Sequence, residues 1–118
     1  MHELSIAGYI VDVATRHAEG RRVTKVYLKL GHLRQVVPSA LSFGFELVAM
    51  GTTVEGAGLE IEKIPAAGLC CACASETRLD NFPLRCGACG GFELQIIAGE
   101  ELYVESLEME EQGVKGGP

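Results

Sequence analysis

Between residues 4 and 19 the apolar positions recur at helical spacing. Leu4, Ala7, Val11, Ala14 and Ala18 form one stripe, Ile10 widens it, and Asp12, Arg16 and Glu19 fall on the other side. This pattern predicts an amphipathic helix that Gly20 is placed to end. Over residues 22–30 the period shortens to two. Val26, Leu28 and Leu30 alternate with Lys25, Tyr27 and Lys29, which predicts a half-buried strand stopped by Gly31. Pro38 suits the first turn of a second helix, because its missing N–H would be unpaired there anyway. Leu41, Phe45 and Val48 form the stripe of that helix, Gly44 permits close approach of a neighbour, Met50 reads as core filler, and Gly51 ends it. Gly58–Ile64 follows as a strand, with Leu59 and Ile61 alternating with Glu60 and Glu62.

Pro65 and Gly68 mark a shift in composition and a domain boundary. A cysteine-rich segment follows, then a strand at Phe92–Ile97, a turn at Gly99 and a last strand at Glu101–Glu110. Leu102 and Val104 share one face of the last strand, and Leu107 and Met109 the other. The apolar face therefore switches near Ser106, as a bulge would make it do. This strand is long enough to leave the cysteine segment and rejoin the first sheet. The segment Gly113–Pro118 reads as a disordered tail.

With 118 residues the chain holds one ordinary domain, or a small domain plus a stapled one. A hydrophobic share of 47% excludes a disordered chain. No apolar run approaches the roughly 18 residues of a membrane span, and no basic n-region precedes an apolar stretch, so no secretory signal is expected. The net charge of −6 and pI near 5.0 argue against nucleic acid, whose binding rests on phosphate contacts from basic residues. They suit metal cations or basic protein surfaces. Five cysteines in such a chain point to a reducing, cytoplasmic setting and to metal or redox chemistry in place of disulfides.

Cys70, Cys73, Cys86 and Cys89 form two C-x2-C turns separated by twelve residues. Two residues between thiolates make a tight turn that points both sulfurs at one ion, and two such turns make a tetrahedral S4 site, which fits Zn(II). Gly87 and Gly90 let the backbone approach sulfur, and Phe82, Pro83 and Leu84 precede the second turn as candidate cover. A closed S4 zinc site is structural, since no coordination position is open, and its metal would stabilise so small a segment. Iron in the same S4 site, for electron transfer, is the rival. Cys71 is the fifth cysteine and the spare one: pairing it with Cys73 would make too short a bite, which leaves it as a free thiol or an alternate ligand.

At the other end stand Met1, His2 and Glu3. A bulky second residue disfavours removal of Met1, so a free α-amine is expected at the start. The amine, the His2 amide nitrogen and the His2 Nδ1 can chelate one metal through a five- and a six-membered ring. Ni(II) and Cu(II) displace an amide proton and accept the near-planar nitrogen field; Zn(II) does so poorly. Glu3 offers a carboxylate for a fourth position. A Met-His start by chance, with a frayed terminal side chain, is the plain alternative. His17 falls in the last turn of the first helix, where its protonated ring suits the dipole, and His32 in a loop; neither reads as a ligand.

Several pieces occur here in one order. Met-His-Glu begins the chain, Gly-His-Leu follows the first strand, and Val-Pro-Ser-Ala-Leu-Ser-Phe-Gly-Phe-Glu opens the second helix. Glu-Gly-Ala-Gly-Leu-Glu-Ile precedes the boundary, the paired knuckles follow, and Gly-Glu-Glu-Leu stands near the end. From Met1 to about Glu110 the chain resembles the HypA/HybF family of hydrogenase nickel-incorporation proteins. The resemblance implies an accessory metallochaperone, not an enzyme. It would carry Ni(II) as cargo toward the large subunit of NiFe-hydrogenase, with the GTPase HypB as partner. It implies nickel at Met1, His2 and Glu3, and structural Zn(II) at Cys70, Cys73, Cys86 and Cys89; Cys71 receives no family role. It implies an α+β fold: a small antiparallel sheet with two helices, plus a four-cysteine zinc-knuckle domain on a strand-built arm. The nickel-binding domain would take residues 1–65 and about 99–110, the zinc domain 66–98 and a disordered tail 111–118, in a monomer or homodimer.

Two other functions fit the residues alone. One is a zinc-ribbon interaction module with an incidental Met-His start. The other is a small redox protein using an iron S4 site or Cys71. No paired carboxylates, Ser-His arrangement or Gly-rich phosphate loop argues for catalysis, so any GTP-driven step would need a partner.

Overall fold

The computed structural model describes residues 3–111. Met1 and His2, and the tail from residue 112 on, lie outside the described residues. The elements in order are α1 (Glu3–Ala18), β1 (Val23–Gly31), a 3-10 turn (His32–Arg34), α2 (Pro38–Ala49), β2 (Gly58–Ile64), β3 (Ala67–Cys70), β4 (Glu76–Arg78), β5 (Leu94–Ala98) and β6 (Leu102–Met109). The strands form two three-stranded sheets, ordered β2-β1-β6 and β4-β3-β5. The fold is α+β, two helices with small antiparallel sheets. The last strand joins the sheet of the first, as its length predicts.

The chain divides into two compact units. One holds Val36–Ile61 with the chain before residue 29 and after residue 102; the other holds Lys29–Gln35 and Glu62–Leu102. In the first, α1 buries Ala7, Ile10, Val11, Ala14 and Ala18, and α2 buries Leu41, Phe45 and Ala49. The small residues on α1 and Gly44 on α2 let the helices approach closely. A Cβ on Gly44 would stand 3.4 Å from Leu4 Cδ1 and 3.6 Å from Ala7 Cβ. Phe45 is fully buried and on its own stabilises this core by about 2–3 kcal/mol. Val23, Val26 and Leu28 of β1 are buried in the same unit.

Helix α1 stops at Ala18 because Glu19 and Gly20 both take left-handed backbone, and Arg21 N–H then donates to Ala18 O at 3.0 Å. Gly51, also at positive φ, follows the end of α2. Leu4, assigned to the apolar stripe of the first helix, and Met50, read as core filler, are not in the core. Leu4 and Met50 are exposed, Leu4 in the first turn of α1 and Met50 as the C-cap of α2, so neither has a packed turn on both sides. In β6 the alternation slips as expected: Glu105 and Ser106 are both exposed, after which Leu107 and Met109 take the half-buried positions.

The second unit contains β3 and β4, which hydrophobic periodicity does not reveal because they are four and three residues long. β3 pairs antiparallel with β4, placing Leu69 opposite Glu76, and with β5, placing Cys70 opposite Leu94. β5 begins at Leu94, two residues later than Phe92, which is exposed. Leu30, Ala66, Leu79, Cys70 and Cys86 are buried in this unit.

Candidate metal centre

The four cysteines of the two C-x2-C turns come together. The sulfurs of Cys70, Cys73, Cys86 and Cys89 all lie within 4.8 Å of one another. Two edges are given by Cys70 Sγ to Cys89 Sγ and Cys73 Sγ to Cys86 Sγ, each 3.6 Å. A tetrahedral ion with metal–sulfur bonds of about 2.3 Å has sulfur–sulfur edges of about 3.8 Å. Two of the six edges therefore sit close to the tetrahedral value, and all four sulfurs are gathered near enough for one ion to draw them onto it. Cys71 is not among them; it is exposed, and its backbone N–H donates to Glu93 O at 2.7 Å.

Both knuckles are built on the same backbone frame. In the first, Cys70 N–H donates to Ser75 O at 2.9 Å and Ala74 N–H returns to Cys70 O at 2.8 Å. In the second, Cys86 N–H donates to Gly91 O and Gly90 N–H to Cys86 O, both at 2.8 Å. Each frame closes on a left-handed residue, Ala74 at φ 66° and Gly90 at φ 77°. Glycine takes that conformation freely, whereas alanine pays about 1–2 kcal/mol for it. The first cysteine of each turn is buried and the second exposed. Ala88 N–H donates to Cys86 Sγ at 3.3 Å, and Gly87 N–H to Thr77 Oγ1 at 3.0 Å, which ties the second knuckle to β4. Of the candidate cover residues only Leu84 is even half-buried; Phe82 and Pro83 are exposed. Arg85 instead stacks over the Phe92 ring, 4.7 Å from its centroid.

The electrostatics of the cluster ask for a cation. Hydrogen bonds from the Ser75 side chain and backbone bring the Cys73 thiol down to about 6. At Cys89 the Gly91 N–H favours the thiolate, but the sulfurs of Cys70, Cys73 and Cys86 outweigh it and push the thiol up to about 11. Sulfurs this close resist joint ionisation, and a divalent cation reverses that resistance.

At the other end only Glu3 can be placed, since Met1 and His2 lie outside the described residues. Glu3 is the first residue of α1, and its carboxylate accepts the Val37 N–H at 3.3 Å, at the N-cap of α2. Its own backbone N–H and that of Val37 hold its carboxyl below the usual value of 4.5. The Val37 contact has no side-chain signature and so leaves no trace in the sequence. His17 and His32 are engaged with carbonyls, His17 Nδ1 with Val13 O and His32 Nε2 with Asp80 O, each at 2.9 Å.

A family model described as hydrogenase/urease nickel incorporation, metallochaperone, hypA matches residues 1–109. The chain belongs to the HypA family. The hydrogenase maturation factor HypA of Geotalea uraniireducens is 46% identical over 110 residues, covering 93% of this chain and 100% of that protein. The factor of the same name from Nostoc punctiforme is 42% identical over 111 residues, 94% of this chain and 97% of that one. Among solved structures, the nickel metallochaperone HypA of Helicobacter pylori superimposes with a TM-score of 0.65 at 22% identity, covering 92% of this chain and 97% of that chain. At that identity the likeness speaks for the fold alone. HypA proteins are maturation factors, and this one is a metallochaperone of nickel incorporation, not an enzyme. No helix among the described residues is long and apolar enough to cross a membrane.

Proposed function

We propose that this chain carries Ni(II) as cargo to NiFe-hydrogenase, binding it at Met1, His2 and Glu3, and keeps Zn(II) as a resident structural ion at Cys70, Cys73, Cys86 and Cys89. The observation that carries the proposal is the nickel-incorporation family match, which begins at Met1 and so includes the Met-His-Glu start. The chemistry supports it. The amine, amide nitrogen and imidazole of a chain terminus bind nickel selectively, and a terminus can present and release an ion that a buried cage would retain. The positive end of α1 disfavours a cation by only about 0.5 kcal/mol, against about 8 kcal/mol for micromolar chelation. Sulfur and nitrogen donors keep the two metals apart. Zinc supplies charge compensation and cross-linking when bound. The two knuckle frames hold the four sulfurs in position, and the Gly87 bond to Thr77 joins that site to its sheet. The GTPase HypB and the hydrogenase large subunit are the proposed partners.

The test is calorimetric nickel titration of the tag-free protein against a version with Gly-Ser added before Met1. The extension keeps every side chain and moves only the α-amine. Collapse of micromolar binding is expected; undiminished binding would place nickel elsewhere and refute the assignment. His2→Ala is expected to remove nickel binding while leaving the fold and zinc content unchanged. Metal analysis and the visible absorption of the purified protein separate zinc from iron at the S4 site.

A further inference from the structure

Helix α2 carries a second apolar stripe, outside the core. Its buried side holds Leu41, Gly44, Phe45 and Ala49. Beside these, Phe43, Leu47 and Met50 follow one another at i, i+4 and i+7 and stand 63%, 49% and 62% exposed. Leu4 of α1, itself 59% exposed, borders the stripe across Gly44. Past Leu47 the surface dips into an open cleft of about 460 Å³ that Leu47, Met50 and Ala57 line together with Glu46 and Glu55. Single exposed apolar residues are ordinary, but a continuous row rimmed by polar groups marks an interaction surface.

The charges around the stripe choose its occupant. Glu46 is the only charged residue of α2, Glu55 stands at the cleft and Glu3 at the start of α1; neither α2 nor the turn from residue 50 to 58 contains a lysine or arginine. Two cations approach the far end of that turn: the Arg22 guanidinium, near Gly56, donates to the Glu55 carbonyl at 2.7 Å, and Lys25, near Gly58, pairs with Glu60 at 3.9 Å, so the acidic character belongs to the stripe and the Glu46 and Glu55 side of the cleft. A second copy packed through this face would return the same acidic rim, since a two-fold contact sets a patch against itself, in a chain of net charge −6. A knob row at i, i+4 and i+7 beside a cleft is the shape that accepts a helix. We propose that the outer face of α2 docks an apolar helix flanked by Lys and Arg on a partner protein. The N-cap of the same helix is Val37, whose N–H holds the Glu3 carboxylate. A partner seated on α2 therefore packs on the element that fixes Glu3. Docking rests on the nickel-carrier proposal only for its purpose, the transfer of cargo.

The probe is a Leu/Lys amphipathic helical peptide titrated into the isotope-labelled, zinc-loaded full chain, with a Leu/Glu peptide of the same apolar pattern as control. The Leu/Lys peptide is expected to shift the amides of α2 and the cleft. Its affinity is expected to fall at least about tenfold in the Phe43→Ser, Leu47→Ser double variant, whose exposed positions leave circular dichroism and zinc content unchanged. Glu46→Lys is expected to weaken it severalfold. Equal binding of the Leu/Glu peptide, shifts confined to other surfaces, or full affinity in the double variant would each overturn the proposal. So would a dimer in sedimentation that the double variant dissolves, which would give the face to self-association. Nickel titration of the same variants keeps the two proposals apart, because the docking face can fail with nickel affinity intact and nickel binding can fail with docking intact.

Discussion

Gly31→Ala is a small change with a large expected cost. A Cβ at Gly31 would stand 2.1 Å from Gly99 O, 2.2 Å from Gly99 C and 2.6 Å from Glu100 N, where ordinary non-bonded contact begins near about 3.5 Å. All three atoms are backbone, so no side chain can swing away. Gly99 cannot retreat either: it holds φ 113°, and on its own open side a Cβ would already be 2.7 Å from Ala66 Cα. Two hydrogen bonds bracket the contact, Gly31 N–H to Glu101 O at 2.7 Å and Leu33 N–H to Gly99 O at 2.8 Å. Opening both costs about 2 kcal/mol, and residual overpacking adds about 1–3 kcal/mol. The expected loss is about 3–5 kcal/mol, a large part of the roughly 5–15 kcal/mol that holds an ordinary domain. Urea denaturation of zinc-loaded protein measures it, as a fall in midpoint of more than about 1 M. Gly8→Ala is the control. Gly8 lies inside α1 with nothing within 4 Å of its Cβ position, and alanine there is expected to stabilise by about 0.5–1 kcal/mol. A Gly31→Ala protein within about 1 kcal/mol of the parent would refute the close-approach account.

Cys73→Ala is expected to lose the zinc proposed for the four-cysteine site on dialysis against a mild chelator, while Cys71→Ser keeps it, since Cys71 lies outside the sulfur cluster. Full zinc retention by the first, or zinc loss by the second, would show that the ligand set is wrong. Tyr27 OH donates to Glu108 Oε2 at 2.7 Å, and this bond raises its pKa above the ordinary 10.0. A raised folded pKa means that the contribution is fully present below the unfolded value of about 10 and is lost as pH rises through the folded one. Glu108→Gln is expected to lower the Tyr27 titration, followed by its ring resonances; an unmoved titration would remove the bond as its cause.

Sequence pattern by itself reaches both helices, β1, β2 and β6 and the slip at Glu105–Ser106, because each is long enough to show its period or its phase change. Covalent spacing alone makes Cys70, Cys73, Cys86 and Cys89 a pair of knuckles, since two intervening residues dictate the turn. The family is legible for the same reason: its motifs are short and local. Other features exist only in three dimensions. β3 and β4 are too short for periodicity and are defined by pairing with β5. The exclusion of Cys71 from the sulfur cluster is decided by the frame in which Cys70 N–H meets Ser75 O and Ala74 N–H meets Cys70 O, bonds that any residue types could make. Burial of Met50 fails because a helix C-cap has no following turn to pack against, which spacing cannot register. The contact of Gly31 with Gly99 and that of Glu3 with Val37 join positions far apart in the chain through backbone atoms. Backbone atoms are common to every residue, so only the folded chain could bring those contacts to light.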